Sequence, residues 1–283
     1  MVAKIPAAGV SLDGAVVVNE SSAAVDTRIE SNANTHMLFV DGTNNRVGVG
    51  TTPDLGTGLH IRTSDGGGAV HANGDNLVIE QSDKPGMSFV SGTSGFGTIY
   101  FSDGADANAY RGFIQYGHTA DQLIFGTSST THMKIDSIGA VTKPLQPAFL
   151  VTKSGAQSNV SNGNTITWDS EVYDQNADFA SNTFTAPVTG RYLFAYQIRI
   201  DALASNMTYA LFNTQTSNRT YQNIYNTQTG ADVTTIFRNF TGSIVADMDA
   251  NDTCIISYGE AGGSVGTADV DGSVSFWSGT LLC

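Results

Sequence analysis

The sequence predicts an all-β protein, and three observations carry that prediction. Charged residues make up only 14% of the chain and glycines number 31 in 283 residues, whereas surface helices need long charged side chains along their outer faces. Gly, Asn, Asp and Ser recur every few residues between short runs of Val, Ile, Phe and Tyr, the punctuation of hairpins. In Tyr192-Leu193-Phe194-Ala195-Tyr196-Gln197 the aromatic residues fall on every second position, the period of a strand with two distinct faces. The apolar content of 40% is enough for a core.

Taken in order, residues 1–29 contain little that is bulky and read as an attachment arm that orders on a partner. Met37–Val40, the turn Asp41-Gly42-Thr43-Asn44-Asn45 and Arg46–Val49 make a hairpin. Leu77–Glu80, Met87–Val90, Thr98–Phe101, Arg111–Tyr116 and Gln122–Phe125 follow as strands, each closed by turn residues. Thr35-His36-Met37 and Thr131-His132-Met133 open two similar stretches, a weak internal repeat. Such short strands, with so few large side chains, cannot bury a stable core within one chain. Three copies wound about a common axis solve this, so residues 30–142 are expected to form an elongated, intertwined β-stalk. Lys143-Pro144-Leu145-Gln146-Pro147 reads as a stiff linker at 143–147, because two prolines in four residues cannot continue a ladder. Of the 26 aromatic residues, 17 lie in 148–283 and 9 in 1–147, so the large core is expected in the C-terminal part.

Charge and composition exclude several function classes. The net charge is −13, with five lysines (Lys4, Lys84, Lys134, Lys143, Lys153) and no basic run, so neither nucleic acid nor an anionic membrane is an expected partner. No stretch of 18 apolar residues is present to insert in a bilayer. Met1–Ser11 lacks the charged-then-apolar order of a secretory signal, so unless a signal was trimmed the chain is expected to be made in the cytoplasm. Cys254 and Cys283 do not make a disulfide framework, and Cys254, in the apolar run Thr253–Ser257, reads as a small buried hydrophobe.

Two stretches carry resemblances. Val16-Val17-Val18-Asn19-Glu20-Ser21, Val25-Asp26-Thr27-Arg28-Ile29-Glu30-Ser31, Met37-Leu38-Phe39-Val40-Asp41 and Arg46-Val47-Gly48-Val49-Gly50-Thr51-Thr52-Pro53 together resemble a repeat of bacteriophage tail-fibre and appendage proteins, particularly marine ones. Tyr116–Phe125 and Met133–Gly139 look like another such unit. In those proteins a self-cleaving chaperone domain often follows, and none follows here. Residues 148–283 are instead similar to the globular head of complement q-type proteins, a trimeric jelly roll shared with the tumour-necrosis-factor superfamily. The residues that carry this are Phe149 near its start, Phe184, Pro187, Gly190, Tyr192 and Phe194 at its centre, and Phe276, Gly279 and Leu281 near its end. The resemblance implies a homotrimeric jelly-roll β-sandwich. No Gly-X-Y tract precedes it, which argues against an immune role.

A search for chemistry finds no phosphate-cradling loop and no nucleophile elbow. The five histidines (His36, His60, His71, His118, His132) are widely spaced, although inward-facing His36 and His132 could meet symmetry mates and hold a metal. Asp169/Glu171, Asp247/Asp249 and Asp269/Asp271 have the spacing that puts both carboxylates on one strand face, and they read as solvated turn acids before a calcium site or a glycosidase pair. No enzyme, cofactor or resident metal is expected. Arg219, Tyr221 and Tyr225 lie in the Asn/Thr/Gln-rich span Asn213–Gly230, expected as loops and short strands. They are the candidate ligand surface for a host glycan, unless the tyrosines are half-buried strand residues.

The expected function is a structural component of a phage virion: a trimeric fibre carried on the particle exterior, bound through its N-terminal arm to another virion protein, with a knob for host attachment and receptor binding. The alternative is a capsid decoration or head fibre with no receptor role. The third is an envelope polysaccharide depolymerase.

Overall fold

The computed structural model describes residues 24–104, 110–202, 207–226, 237–261 and 268–283. Residues 1–23, most of the expected arm, lie outside them. Among the described residues there are twenty-two strands and no helix. The chain divides into two compact units, Met1–Val90 and Ser91–Cys283.

In the first unit, β1 (Thr27–Ile29), β2 (Leu38–Asp41), β3 (Arg46–Val49), β4 (Leu59–Arg62) and β5 (Leu77–Glu80) form one sheet in chain order. The expected hairpin is β2–β3. The Asp41 carboxylate closes its turn by accepting from the amides of Thr43 (3.0 Å) and Asn44 (2.8 Å). Hydrogen bonds from Asn44 hold that carboxyl below its usual range. Thr27–Ile29 pairs with β2 instead of belonging to a free arm. β3, β4 and β5 run parallel, joined by loops and not by helices.

The register sorts the side chains of this sheet. Ile29, Leu38, Val49, Ile61 and Ile79 stand side by side in one row, and Thr27, Val40, Val47, Leu59 and Leu77 in the next, on the same face. The opposite face carries Phe39, Gly48, His60 and Val78, all buried. The aliphatic face stays open, with Ile29 60% and Leu77 51% exposed.

In the second unit, β6 (Phe96–Phe101), β7 (Gly112–Gly117), β8 (Gln122–Thr127), β9 (Thr130–Ile135) and β10 (Val141–Thr142) form an antiparallel meander. Ile99, Ile114, Phe125 and Met133 align across it, and none of them is buried. Met87–Val90, expected as a strand, is not one. Pro85 lacks an amide to donate, no strand runs alongside, and Val90 is 94% exposed.

The rest of this unit is a two-layer sandwich built from β11 (Ala148–Thr152), β12 (Gln157–Val160), β13 (Ser170–Asp174), β14 (Phe179–Ala180), β15 (Thr183–Thr185), β16 (Gly190–Ala202), β17 (Tyr209–Thr216), β18 (Thr220–Asn226), β19 (Arg238–Met248), β20 (Thr253–Ala261), β21 (Ala268–Val270) and β22 (Phe276–Leu281). One layer is centred on β16. Along one side it pairs with β19, and along the other with β22 and then β21, beyond which lie β11, β13 and β12. The other layer has the order β14-β15-β20-β17-β18. This is jelly-roll connectivity.

The alternation on β16 is as expected: Tyr192, Phe194, Tyr196, Ile198 and Ile200 point into the core and are at most 4% exposed. Phe149 from β11 joins the layers, stacking on Phe184 (5.1 Å) and Phe179 (5.2 Å) and meeting the Trp277 edge at 5.0 Å. Gly279 is required beside it, since a Cβ there would lie 2.4 Å from the Phe149 ring and 2.8 Å from Phe194. Pro187 and Val188 form an exposed corner that the Tyr192 hydroxyl closes by donating to the Val188 carbonyl at 2.7 Å. At Gly190 a Cβ would meet the Cys283 carbonyl at 2.7 Å, so the chain end fixes this residue type too.

Lys143–Pro147 is tied to the sandwich. Gln175 donates to the Lys143 and Gln146 carbonyls at 2.9 and 2.7 Å, and Pro147 is buried. Lys84 and Lys143 each precede a proline and Lys153 is only 5% exposed, so trypsin has little to cut near either boundary. Thermolysin should instead cleave first between Gly86 and Gly95, at Met87, Phe89 or Val90, leaving a stable fragment from about Val90 to Cys283. Mass spectrometry of the first fragments checks this, and first cuts at Leu145 would contradict it.

Candidate functional site

β18 and β19 are edge strands of opposite layers, and a cleft of about 270 Å³ opens between them. Tyr196, Thr214, Tyr221, Asn223, Gly242 and Ser243 line it, so its polar groups are uncharged hydroxyls and amides. Burial pushes the Tyr196 phenol up, partly offset by the Asn223 amide. Asn223 also donates to the Thr241 carbonyl, which anchors β18 to β19 across the open edge. A cleft of this chemistry suits a small, neutral, hydroxyl-rich group better than an ion.

The structure separates the predicted ligand residues. Asn213–Asn226 is the long hairpin of β17 and β18, not a set of loops, and residues 227–230 lie outside the described residues. Arg219 is exposed in its turn, where its backbone bonds Thr216. Tyr221 and Tyr225 are half-buried and packed against the core. The Tyr225 ring meets Phe240 edge-on at 5.7 Å, with the Arg238 guanidinium 5.6 Å from its centroid. Only Tyr221 of the three reaches the cleft. The other named positions are architectural: Phe149, Phe184, Tyr192 and Phe194 are fully buried, Leu281 is half-buried and packed against the core beside Tyr192, and Phe276 is half-buried on the outer side of β22.

A larger groove of about 610 Å³ lies where the chain enters the sandwich. Leu145, Pro147, Val188, Leu281 and Leu282 give it an apolar floor, with Lys143 and Asp178 at its margin. Burial first, and the neighbouring Asp174 second, raise the Asp178 carboxyl above its ordinary value. Asp174 itself is committed to the amides of Asp178 and Phe179, at 3.1 and 3.0 Å. Sequence reasoning missed this groove, because it is assembled from five separated segments, His132 among them.

Three of the six paired acids, Asp169, Asp269 and Asp271, accept hydrogen bonds from backbone amides. Asp169 accepts from the Ser154 amide and hydroxyl (2.6 and 2.9 Å), Asp269 from the Asn159 amide (2.9 Å), and Asp271 from Ser273 and from Arg199. His36 bonds Thr35 and lies against Phe39, and His132 meets the Thr127 carbonyl. Among the described residues the metal-type cluster is elsewhere, at Asp54, His60 and Glu80. His60 is fully buried, with Nε2 2.9 Å from Glu80 and Nδ1 3.4 Å from Asp54. Arg62 bonds both Asp54 oxygens at 2.9 and 3.0 Å and lies 3.6 Å from Glu80. Its guanidinium already supplies the positive charge that a cation would bring. Burial pushes the Asp54 carboxyl up, but the Arg62 bonds outweigh it and hold the group below its usual range.

A family model described as C1q domain matches residues 148–282. Among solved structures, the globular domain of zebrafish complement 1qA protein is 15% identical, covering 49% of this chain and 98% of its own, with a TM-score of 0.38. The Eiger TNF from S. frugiperda is 14% identical over 49% and 94%, with a TM-score of 0.39. Murine APRIL at pH 8.0 is 11% identical over 48% and 99%, with a TM-score of 0.35. No curated protein matches the sequence. The C-terminal region is a C1q/TNF-like jelly-roll domain, and the tail-fibre resemblance of the N-terminal part has no counterpart among these matches.

Three substitutions test these placements. Tyr225→Ala should lower unfolding free energy by about 2–3 kcal/mol through lost ring packing, while Arg219→Ala should stay within about 0.5 kcal/mol; denaturant titration separates them. For Asp178 the folded pKa is raised, so its ionisation opposes folding once pH exceeds the unfolded value. Asp178→Asn should therefore stabilise the protein by up to about 1 kcal/mol at neutral pH. The gain should vanish in melting curves taken below the unfolded carboxyl pKa.

Proposed function

We propose that this chain is a non-catalytic fibre subunit of a bacteriophage virion. It acts as a homotrimer on the particle exterior, held at its N-terminal arm by another virion protein and presenting the C1q/TNF-like domain to the host surface. The partition of the core carries this reading. The C-terminal domain buries a full aromatic interior, whereas the first unit and the β6–β10 sheet bury few large side chains, Phe39, Val78 and Ile124 among them. A self-sufficient head on sheets that lack a core of their own is how a display device is built. Three identical heads bind repeated surface groups by avidity, without tight single-site affinity. The uncharged cleft beside Tyr196 and Tyr221 suits a surface glycan.

One observation favours a second reading, a capsid decoration or head fibre with no receptor. Tyr221 and Tyr225 face the core, so the expected pair of exposed stacking rings is missing. A depolymerase draws no support from Asp169, Asp269 and Asp271, whose carboxylates are engaged by backbone amides.

Sedimentation of the full chain should give three times 29.7 kDa, and a monodisperse monomer would overturn the proposal. Antibody labelling of intact particles then separates the readings: tail-tip density with inhibition of adsorption supports receptor binding, and capsid density without inhibition supports decoration.

A further inference from the structure

The β1–β5 sheet is inside out for a monomer in water. Nine of the ten positions in its two open rows are Val, Leu or Ile. Every charged side chain of these strands sits on the other face: Arg28, Asp41, Arg46, Arg62 and Glu80 alternate with the open rows. Asp41, His60 and Glu80 there are at most 8% exposed, while Leu38, Val40 and Leu77 on the aliphatic side are 39–51% exposed. Soluble chains normally hide the aliphatic face and wet the charged one. The β6–β10 sheet repeats the device with its open row of Ile99, Ile114, Phe125 and Met133.

We infer that the open aliphatic faces of both sheets are covered by the same faces of further copies of this chain, an inference that rests on the trimeric reading above. The occupant must be free of charge and must offer an apolar strip to each sheet in turn, which another copy does at both places. The first 23 residues are too short to cover both sheets, and their main apolar run is Ala15-Val16-Val17-Val18. Area points the same way. Five strands about 4.8 Å apart, two rows deep, offer roughly 300 Å², well short of the roughly 800 Å² per partner of a stable dimer. The faces therefore do not recruit one another unaided; they close when the heads have already gathered the chains.

The test uses the full chain with Val40→Lys and Leu77→Lys together, at sites whose side chains are largely free within one chain. Sedimentation gives the mass, and hydrogen–deuterium exchange follows β2–β5 and β16. The wild type should be a trimer with protected β2–β5 amides. The variant should remain a trimer, with exchange in β2–β5 faster by about tenfold or more and β16 unchanged. A trimeric variant with unchanged β2–β5 exchange would overturn the inference and leave the trimeric reading intact. A variant that becomes monomeric with β16 still protected would support the covering of the faces by further copies and overturn the order in which the heads gather the chains first. A monomeric wild type would overturn both. Val40→Thr with Leu77→Thr keeps strand propensity and should show the same acceleration in smaller measure; if it matches the wild type throughout, the lysine effect is misfolding and the inference falls.

Discussion

The distance between the two layers of the head is set where Phe149 meets its neighbours. Its ring lies against Phe179 and Phe184 from one layer and against Phe194 and Trp277 from its own. The fit depends on a missing atom, because Gly279 yields the space that the Phe149 and Phe194 rings fill. Interiors are packed to near-crystal density, so an arrangement that rests on the absence of one methyl group fixes the register of β11 against β22 as well. The strand that carries Phe149 begins just after Pro147, whose carbonyl accepts from the Leu281 amide and so positions the first residues of that strand.

The N-terminal part solves a different problem. Its strands are mostly four to six residues long and meet edge to edge in simple order, with no second layer of large side chains to close against. Much of what it buries is polar. His60 Nε2 bonds the buried Glu80, which also accepts from the Gly66 amide at 2.6 Å, and Arg62 ties this pair to the exposed Asp54. A buried polar pair of this kind ties the register to one alignment, since misaligned it would be left unpaired. A one-residue slip of β4 against β5 would turn His60 away from Glu80 and turn Leu59 inward. Polar pairing thus dictates which face of the sheet is aliphatic.

Much of the head was legible in the sequence because its signals are local. The alternation from Tyr192 to Gln197, the corner at Pro187 and Gly190, and the aromatic enrichment after residue 147 each report a nearby physical cause. The β2–β3 hairpin was legible for the same reason, through its Asp-Gly-Thr-Asn-Asn turn. The parallel pairing of β3, β4 and β5 was not, since it joins strands through long loops that leave no periodic trace. The cluster around His60 was invisible on the same grounds: Asp54, His60 and Glu80 are brought together only by that pairing. Tyr221 and Tyr225 misled in the other direction. Their polar neighbours suggested a surface, but on a strand Thr220, Gln222 and Ile224 alternate with the tyrosines and take the solvent side, leaving the rings and Asn223 to the inner face. The groove around Leu145 and Leu281 depends on the two ends of the domain meeting, which no single segment announces.

That meeting of ends has a consequence for how the head can diversify. The chain enters at Pro147 and leaves at Cys283 on the same side, where the Leu281 amide bonds the Pro147 carbonyl and the Arg191 amide bonds the Cys283 carbonyl. The opposite side is where β16 ends at Ala202, β17 begins at Tyr209, β18 ends at Asn226, β19 begins at Arg238, β20 ends at Ala261 and β21 begins at Ala268. Three connections therefore leave and re-enter the ladders at the end away from the tether. A longer connection between these strand ends costs only slowly growing loop entropy. The domain is a socket at one end and an editable rim at the other, so related chains can exchange their outermost sequence wholesale while inheriting the same core.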